Sequence, residues 1–195
     1  EVVDKIIIVT GENTYPGIND PLVSFLRSDG ITSSATLRKM GEMSDLPYVL
    51  VYSGLFPLDP GKFALMRMMQ VCEFTGAGIV YSDYIENKNG RLSPHPLIDY
   101  QEGSLRDDFN FGSVVLHDGS AFRDACNSMD RDFRYAGLYD LRLRISQKRS
   151  VVHLPEQLYT IVETDTRKSG EKLHDYVDPR NRAVQIEMET ACTDH

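Results

Sequence analysis

The sequence predicts an α/β protein, a mixed sheet flanked by helices, and three observations carry that reading. Short β-branched runs recur along the first half: KIIIVT at residues 5–10, YVLVY at 48–52 and AGIVYS at 77–82. Runs of this length, apolar throughout, read as strands buried on both faces of a sheet with parallel character. The stretch between the second and third runs carries the best helix signals in the chain: Asp59 to cap, Pro60 at the first position and Gly76 to stop. Strand–helix–strand order of this kind predicts that YVLVY and AGIVYS lie adjacent and parallel, joined by a right-handed crossover. The second half is less regular, which makes the sheet mixed.

Each element has its own justification. Residues 5–10 end at Gly11. Residues 21–27 read as a short helix, with Asp20 as N-cap, Pro21 at the first position and Gly30 closing it. In the helix that follows Asp59, Leu65, Met68, Met69 and Cys72 fall at i, i+3, i+4 and i+7, one apolar stripe. Phe63, Met66, Val71 and Phe74 lie off that stripe, so the helix is expected to be buried on more than one side. Asn89-Gly90 supplies the positive φ angles of a tight hairpin between Tyr84-Ile85 and Leu92. A strand at 113–116, a helix at 119–127 capped by Asp118, a helix at 138–147 and strands at 151–154 and 158–162 follow. From residue 163 the composition turns polar, with Lys168-Ser169-Gly170 as a loop, and Pro179 opens a helix carrying Val184, Met188 and Ala191. The expected organisation is a main domain over residues 1–162, with a connector and C-terminal helix over 163–195 packed on it.

Composition narrows the function classes. The chain of 195 residues is 41% hydrophobic and 26% charged, the balance of a globular domain with a sizeable core. A formal charge of −8 argues against general affinity for nucleic acid. Arg142, Arg144, Lys148 and Arg149 form a local exception, but they fall on two faces, Arg142 with Arg149 and Arg144 with Lys148, and read as a solvated helix and not a basic stripe. Three widely spaced cysteines, Cys72, Cys126 and Cys192, imply no disulfide framework, so a reducing, cytoplasmic compartment is expected, with a peripheral membrane association as a variant of it. No apolar run is long enough to span a bilayer. The five histidines show no metal spacing, although His117 and His153 lie at strand ends and could face a cleft. Neither a P-loop, a Gly-x-Gly-x-x-Gly turn nor a serine nucleophile elbow is present.

The densest signature runs from residue 130 to 159, DRDFRYAGLYDLRLRISQKRSVVHLPEQLY. From Phe133 to Arg144 it resembles, with spacing that fits without a gap, the acceptor-side pattern F-x-x-x-E-D-x-D-L-x-L-R of the family 2 glycosyltransferases, and Leu154-Pro155-Glu156 with Leu158-Tyr159 resembles the segment that follows it. Upstream, IIIVTGENT stands where that family has its nucleotide turn, PYVLVYSGLFPLDPGKFAL where it has its metal strand, and GAGIVYSDY resembles another of its strands. RDDFNFGSVVLH, residues 106–117, resembles the segment that builds the acceptor cleft. The resemblance covers most of residues 1–162. It implies a GT-A fold, a Rossmann-like nucleotide half joined to an acceptor half. The family's first strand and helix have no counterpart here: a preceding segment was removed or the fold is a shortened version.

The resemblance also implies a reaction and a site. A sugar passes from a nucleotide-diphosphate donor to a glycan or lipid acceptor, with a divalent cation, Mn²⁺ or Mg²⁺, on the diphosphate and a carboxylate base on the acceptor hydroxyl. Thr10, Glu12, Ser53 and Asp83 are the candidate nucleotide-sugar contacts, Asp83 is also the candidate metal ligand, and Asp140 is the candidate base. Three positions depart from the pattern. The Asp-x-Asp metal motif falls on Ser53-Gly54-Leu55, which offers no carboxylate, so metal affinity is expected to be weak. The nucleotide turn reads Thr10-Gly11-Glu12, and the Glu-Asp pair of the acceptor motif falls on Gly137-Leu138. The alternative function is therefore a catalytically degenerate relative that binds a glycan or nucleotide or serves as a scaffold, with Asp140 turned toward backbone N–H groups at the start of its helix.

Overall fold

The computed structural model describes residues 3–11, 17–28, 30–163 and 179–195. The fold is mixed α/β. Strands β1 (Ile6–Thr10) and β2 (Val23–Arg27) form a parallel pair. A six-stranded mixed sheet holds β3 (Tyr48–Tyr52), β4 (Leu58–Pro60), β5 (Ile79–Lys88), β6 (Arg91–His95), β7 (Val114–Asp118) and β8 (Val151–Glu163), in the order β3-β7-β5-β8-β4 with β6 beside β5. The helices are α1 (Ser34–Met43), α2 (Ala64–Thr75), α3 (Gly119–Asn127), α4 (Gly137–Ser146) and α5 (Pro179–Thr193).

Two apolar clusters cover the sheet. On one face Val51, Ile79 and Leu26 pack with Leu37 and Met40 of α1, Phe122 and Cys126 of α3, and Leu141 and Ile145 of α4. On the other, Val80, Leu116 and Leu154 pack with Met68 and Cys72 of α2. The alternation of Ile79 and Val80 between the clusters is the period-two pleat of a strand buried on both faces. A third cluster joins α5 to α4 through Ala191, Met188 and Cys192 against Phe133, Ala136, Tyr139 and Leu143. Burial pushes the thiols of Cys72 and Cys126 up to about 11 and about 12, as for small core residues.

The capped helix α3 and the hairpin stand where the sequence places them. The Asp118 carboxylate accepts from Ala121 N at 2.9 Å, and Asn89, at φ 53°, turns β5 into β6. Several expectations are corrected. YVLVY and AGIVYS point the same way but are not neighbours, because β7 inserts antiparallel between them. The helix expected over 21–27 is a turn at 21–22 and a strand at 23–27: Asp20 receives the Leu22 amide on its carboxylate at 2.9 Å and the Val23 amide on its carbonyl at 3.0 Å, a turn that delivers the chain to the edge of β1. Seven residues hold too few internal bonds to compete with that ladder. Asp59 and Pro60 belong to β4, an edge strand where the missing proline N–H costs nothing, and α2 starts at Ala64. Phe63 and Phe74 are exposed, so α2 buries one side only. The two late strands are one strand, β8, bulged at residues 155–158. Helix α1 goes beyond the sequence expectation. Its Leu37 and Met40 are buried, and Gly41 lets it close on Cys126, where a Cβ would stand 2.7 Å from the cysteine Cβ.

Candidate functional site

The sequence-derived candidates do not converge on one point. Glu12 lies outside the described residues. Thr10 ends β1, beside a surface pocket of about 450 Å³ lined by Gly11, Arg27, Ser28, Thr36 and Lys39. Ser53 and Asp83 do stand at one level of the large sheet, although Asp83 does not end its strand, because β5 continues to Lys88 against β8 and β6. Val51, Val115, Tyr81 and His153 form a rung across β3, β7, β5 and β8, and Ser53 and Asp83 each stand two residues beyond it. Two strand spacings separate their backbones, about 10 Å. Ser53 is held there by its amide, which donates to Ser113 O at 3.0 Å.

Asp83 sits where the ladder slips. Its neighbours Ser82 and Tyr84 pair with Leu154 and Tyr159, so four residues of β8 stand opposite Asp83 alone. The bulge frees this carboxylate from the regular pleat, as bulges beside functional sites do. Asp83 Oδ1 accepts from Leu97 N at 2.7 Å and meets His153 Nε2 at 2.9 Å, while His153 Nδ1 meets Asp99 Oδ1 at 2.7 Å. With a carboxylate on each ring nitrogen, His153 satisfies both only when both nitrogens carry hydrogen. The imidazole also stacks on Tyr81, centroids 4.8 Å apart, and the Tyr81 hydroxyl donates to Ile98 O at 2.6 Å. Burial raises the Tyr81 phenol well above its ordinary value, so it acts as a hydrogen-bond donor and not as an acid.

These bonds anchor residues 96–113, which contain no strand or helix and lie across the sheet end. Their aromatic side chains pack inward. Phe111 meets Tyr81 edge-on at 5.0 Å, and Phe109 and Tyr100 meet at 5.4 Å. Beneath them lies Arg142 of α4, enclosed by Tyr139, Tyr100 and Phe111 with ring centroids 4.7, 5.8 and 5.9 Å from the guanidinium carbon. Arg142 is 5% exposed, and none of its three guanidinium nitrogens has a hydrogen-bond partner. Burial pushes its pKa down, against the opposing influence of the Tyr100 and Tyr139 phenols. Removing a guanidinium from water costs several kcal/mol. Each cation–π contact returns about 0.5–2 kcal/mol. The solvated helix face expected for Arg142 and Arg144 is thus corrected: both side chains turn inward, because the helix has partners on every side.

Asp140 occupies a different face of α4. It is 1% exposed, pairs with both oxygens to Arg144 Nε at 3.1 and 2.9 Å, and meets His195 Nε2 at 2.7 Å. Arg144 continues to Ser128 O at 2.7 Å and Asp130 at 2.9 Å. Burial works against the Arg144 charge, but Asp140 and Asp130 outweigh it and hold the guanidinium protonated. The carboxylate expected at backbone N–H groups therefore lies in a side-chain network instead. The helix start is served from α5, where Glu187 accepts from Tyr135 N at 2.7 Å and Ala136 N at 3.2 Å. At Gly137 a Cβ would stand 2.5 Å from Thr32 O and 2.8 Å from Ser34 N, so no side chain fits there without moving backbone. Leu138 packs into the first apolar cluster.

Among the described residues, no three His, Cys, Asp or Glu side chains gather as metal ligands. Asp83 suits a resident cation poorly, since one of its oxygens already meets an amide hydrogen and an imidazole, and the next carboxylate, Asp99, lies across the ring. Chemically, the arrangement offers aromatic faces to a planar or pyranose ring, a buried cation and a hydrogen-bonded carboxylate within one sheet end. Tyr100, Phe109 and Phe111 left a sequence signal, three rings in a polar, Asp-rich stretch, but Arg142 left none apart from its place at i+3 from Tyr139. No protein-family model matches this chain, and no curated protein matches it in sequence.

Proposed function

We propose that this chain is a degenerate relative of the family 2 glycosyltransferases that binds a nucleotide-diphosphate sugar or glycan at the aromatic end of its sheet. The observation that carries this reading is Gly137. The position that matches the family's glutamate is packed against backbone of the α1 entrance, and the next, Leu138, is part of the core. Asp140, the remaining carboxylate of that motif, is committed to Arg144 and His195. Binding would rest on Tyr100 and Phe111, since stacking of a ring on an aromatic side chain contributes about 1–3 kcal/mol per base.

A second reading, sugar transfer to a glycan or lipid acceptor, is favoured by the Asp83–His153 pair. The Asp83 carboxylate would take the acceptor's proton as the hydroxyl oxygen bonds to the anomeric carbon and the bond to the diphosphate breaks. Calorimetric titration with nucleotide sugars, with and without Mn²⁺, separates the readings. Binding that weakens about tenfold or more in Tyr100→Ala, without sugar transfer to any acceptor, is the expected result. Transfer lost in Asp83→Asn, with the fold intact, would replace binding by catalysis. No binding of any nucleotide sugar or glycan would end both.

A further inference from the structure

We propose that Arg142 is the floor of an oxyanion-binding site, closed by residues 96–113, that takes a phosphate or carboxylate group. Helix α4 holds two enclosed arginines that are treated differently. Arg144 shows how this chain pairs an enclosed guanidinium: Asp140, Asp130 and the Ser128 carbonyl meet it. Arg142, two residues earlier and more deeply enclosed, receives no acceptor at Nε or at either terminal nitrogen. The three ring faces attract its charge, and the Tyr139 phenol beside it favours the charged form, but the two phenol hydroxyls are turned to Leu105 O and Ser104 O and neither oxygen accepts from its N–H groups in hydrogen-bond geometry. Asp107, on the covering segment, acts on it only from a distance. A planar cation with a full set of unused donors matches the two oxygens of a carboxylate or phosphate.

The route to it is a single piece of chain. Tyr100 and Phe111, two of the three enclosing rings, belong to residues 96–113, and that segment reaches the rest of the fold through five side chains, Asp83 to Leu97 N, Tyr81 to Ile98 O, His153 to Asp99, Tyr139 to Leu105 O and Tyr159 to Ser113 N, with a backbone bond from Ser53 N to Ser113 O at its very end. Displacing it uncovers Arg142 without breaking a backbone ladder. An oxyanion held there would sit with a ring on either side, so a sugar or base attached to it would meet the same aromatic faces. The inference takes from the proposed function only the location of the site; a bare oxyanion is enough to test it.

The experiment uses the full chain, melted by circular dichroism and titrated calorimetrically with sodium pyrophosphate, inorganic phosphate and glucuronate, with ionic strength held constant by sodium chloride. The expected result is a saturable rise in Tm with at least one of the three, as a ligand that binds only the folded state gives. A response to the phosphates marks a phosphoryl ligand, and a response to glucuronate marks an acidic sugar. Arg142→Met should lose the response while melting, in anion-free buffer, at or above the wild-type temperature, because it removes a buried charge that has no partner. Should that variant fail to fold, Arg142→Lys decides: it keeps the charge without the fork and is expected to bind at least tenfold more weakly. No saturable response of the wild type to any of the three anions, or an undiminished response in the variants, overturns the proposal. A response to any of the three anions without any nucleotide-sugar or glycan binding would end the sugar reading alone, and nucleotide-sugar binding without a response to any of the three would end this one.

Discussion

His117 shows how a single buried side chain can set a pH response. It lies at the junction of β7 and the first apolar cluster, 4% exposed and edge-on to Phe122 at 5.3 Å, with Nδ1 unpartnered. Burial pushes its pKa down from 6.5 to about 4. The imidazole is thus neutral in the folded protein across a range in which the unfolded chain takes up a proton. Above about pH 6.5 both states are neutral and nothing is lost; between 6.5 and 4 the unfolded state alone is protonated, and stability falls by up to about 3 kcal/mol. Urea midpoints should therefore drop as pH falls through this window and level off, for this group, below it. In His117→Gln that part of the drop should be absent; an unchanged profile in the variant would locate the response elsewhere. Gly137 is the residue that sequence alone could not interpret. Its place in the motif marks a missing carboxylate, but the reason, the Thr32 and Ser34 backbone lying against it, comes from a segment about a hundred residues away.

Between elements, the interest lies in how residues 96–113 are fastened. Five side chains or amides tie them to β5, β8 and α4, and two of the ties, the Tyr81 and Tyr139 hydroxyls, donate to carbonyls of the segment. Tyr139→Phe removes one hydroxyl at nearly constant volume. It is expected to leave the global denaturation midpoint within about 1 kcal/mol of the wild type, the usual worth of one hydrogen bond. Amides around Leu105 should exchange faster with deuterium in the variant, by several-fold, while those of β5 are unchanged. Faster exchange throughout the sheet would mean the segment is part of the global unit. The legibility of elements follows the same local–tertiary divide. Strands β1 and β3, helix α3 with its Asp118 cap and the Asn89-Gly90 hairpin are written in local chemistry and were readable, but not the burial of the two strands: Ile6 and Leu50 are exposed, so neither run is covered on both faces as expected. The strand at 23–27, the strand at Pro60 and the helix at 34–43 take their form from an edge, a neighbour or a close approach supplied by distant chain.

At the scale of the molecule, the sequence could indicate an α/β class but not the strand order. A strand–helix–strand pattern argues for neighbours, and nothing in YVLVY or AGIVYS reveals that residues 114–118 come between them. The candidate site was legible in smaller measure: Asp83 was readable as a carboxylate after AGIVYS but not as a bulge inside a strand that runs on to Lys88, and its imidazole partner and the ring-lined guanidinium depend on which strand lies beside β5 and what α4 faces. No helix among the described residues is long and apolar enough to cross a membrane.

The insertion of β7 between β3 and β5, and of β8 between β5 and β4, carries a consequence in time. Tyr48 pairs with Asp118, Ile79 with Val151, and Leu58 with Ile161, so in the large sheet only the β5–β6 hairpin joins strands that follow directly in the chain. Every other ladder closes a long loop, and the entropy of closure is spent before any packing returns it. The hairpin and α3 should form early and wait, and the rate of refolding should be set by the docking of β7 and β8 on β5. Stopped-flow refolding is expected to run on a timescale of roughly milliseconds to seconds, and truncating the buried β8 side chain in Leu154→Ala should slow refolding as well as speed unfolding, since its contacts form in the docking step. Microsecond refolding, or a Leu154→Ala variant that refolds at the wild-type rate and only unfolds faster, would show that the docking of β8 does not set the rate.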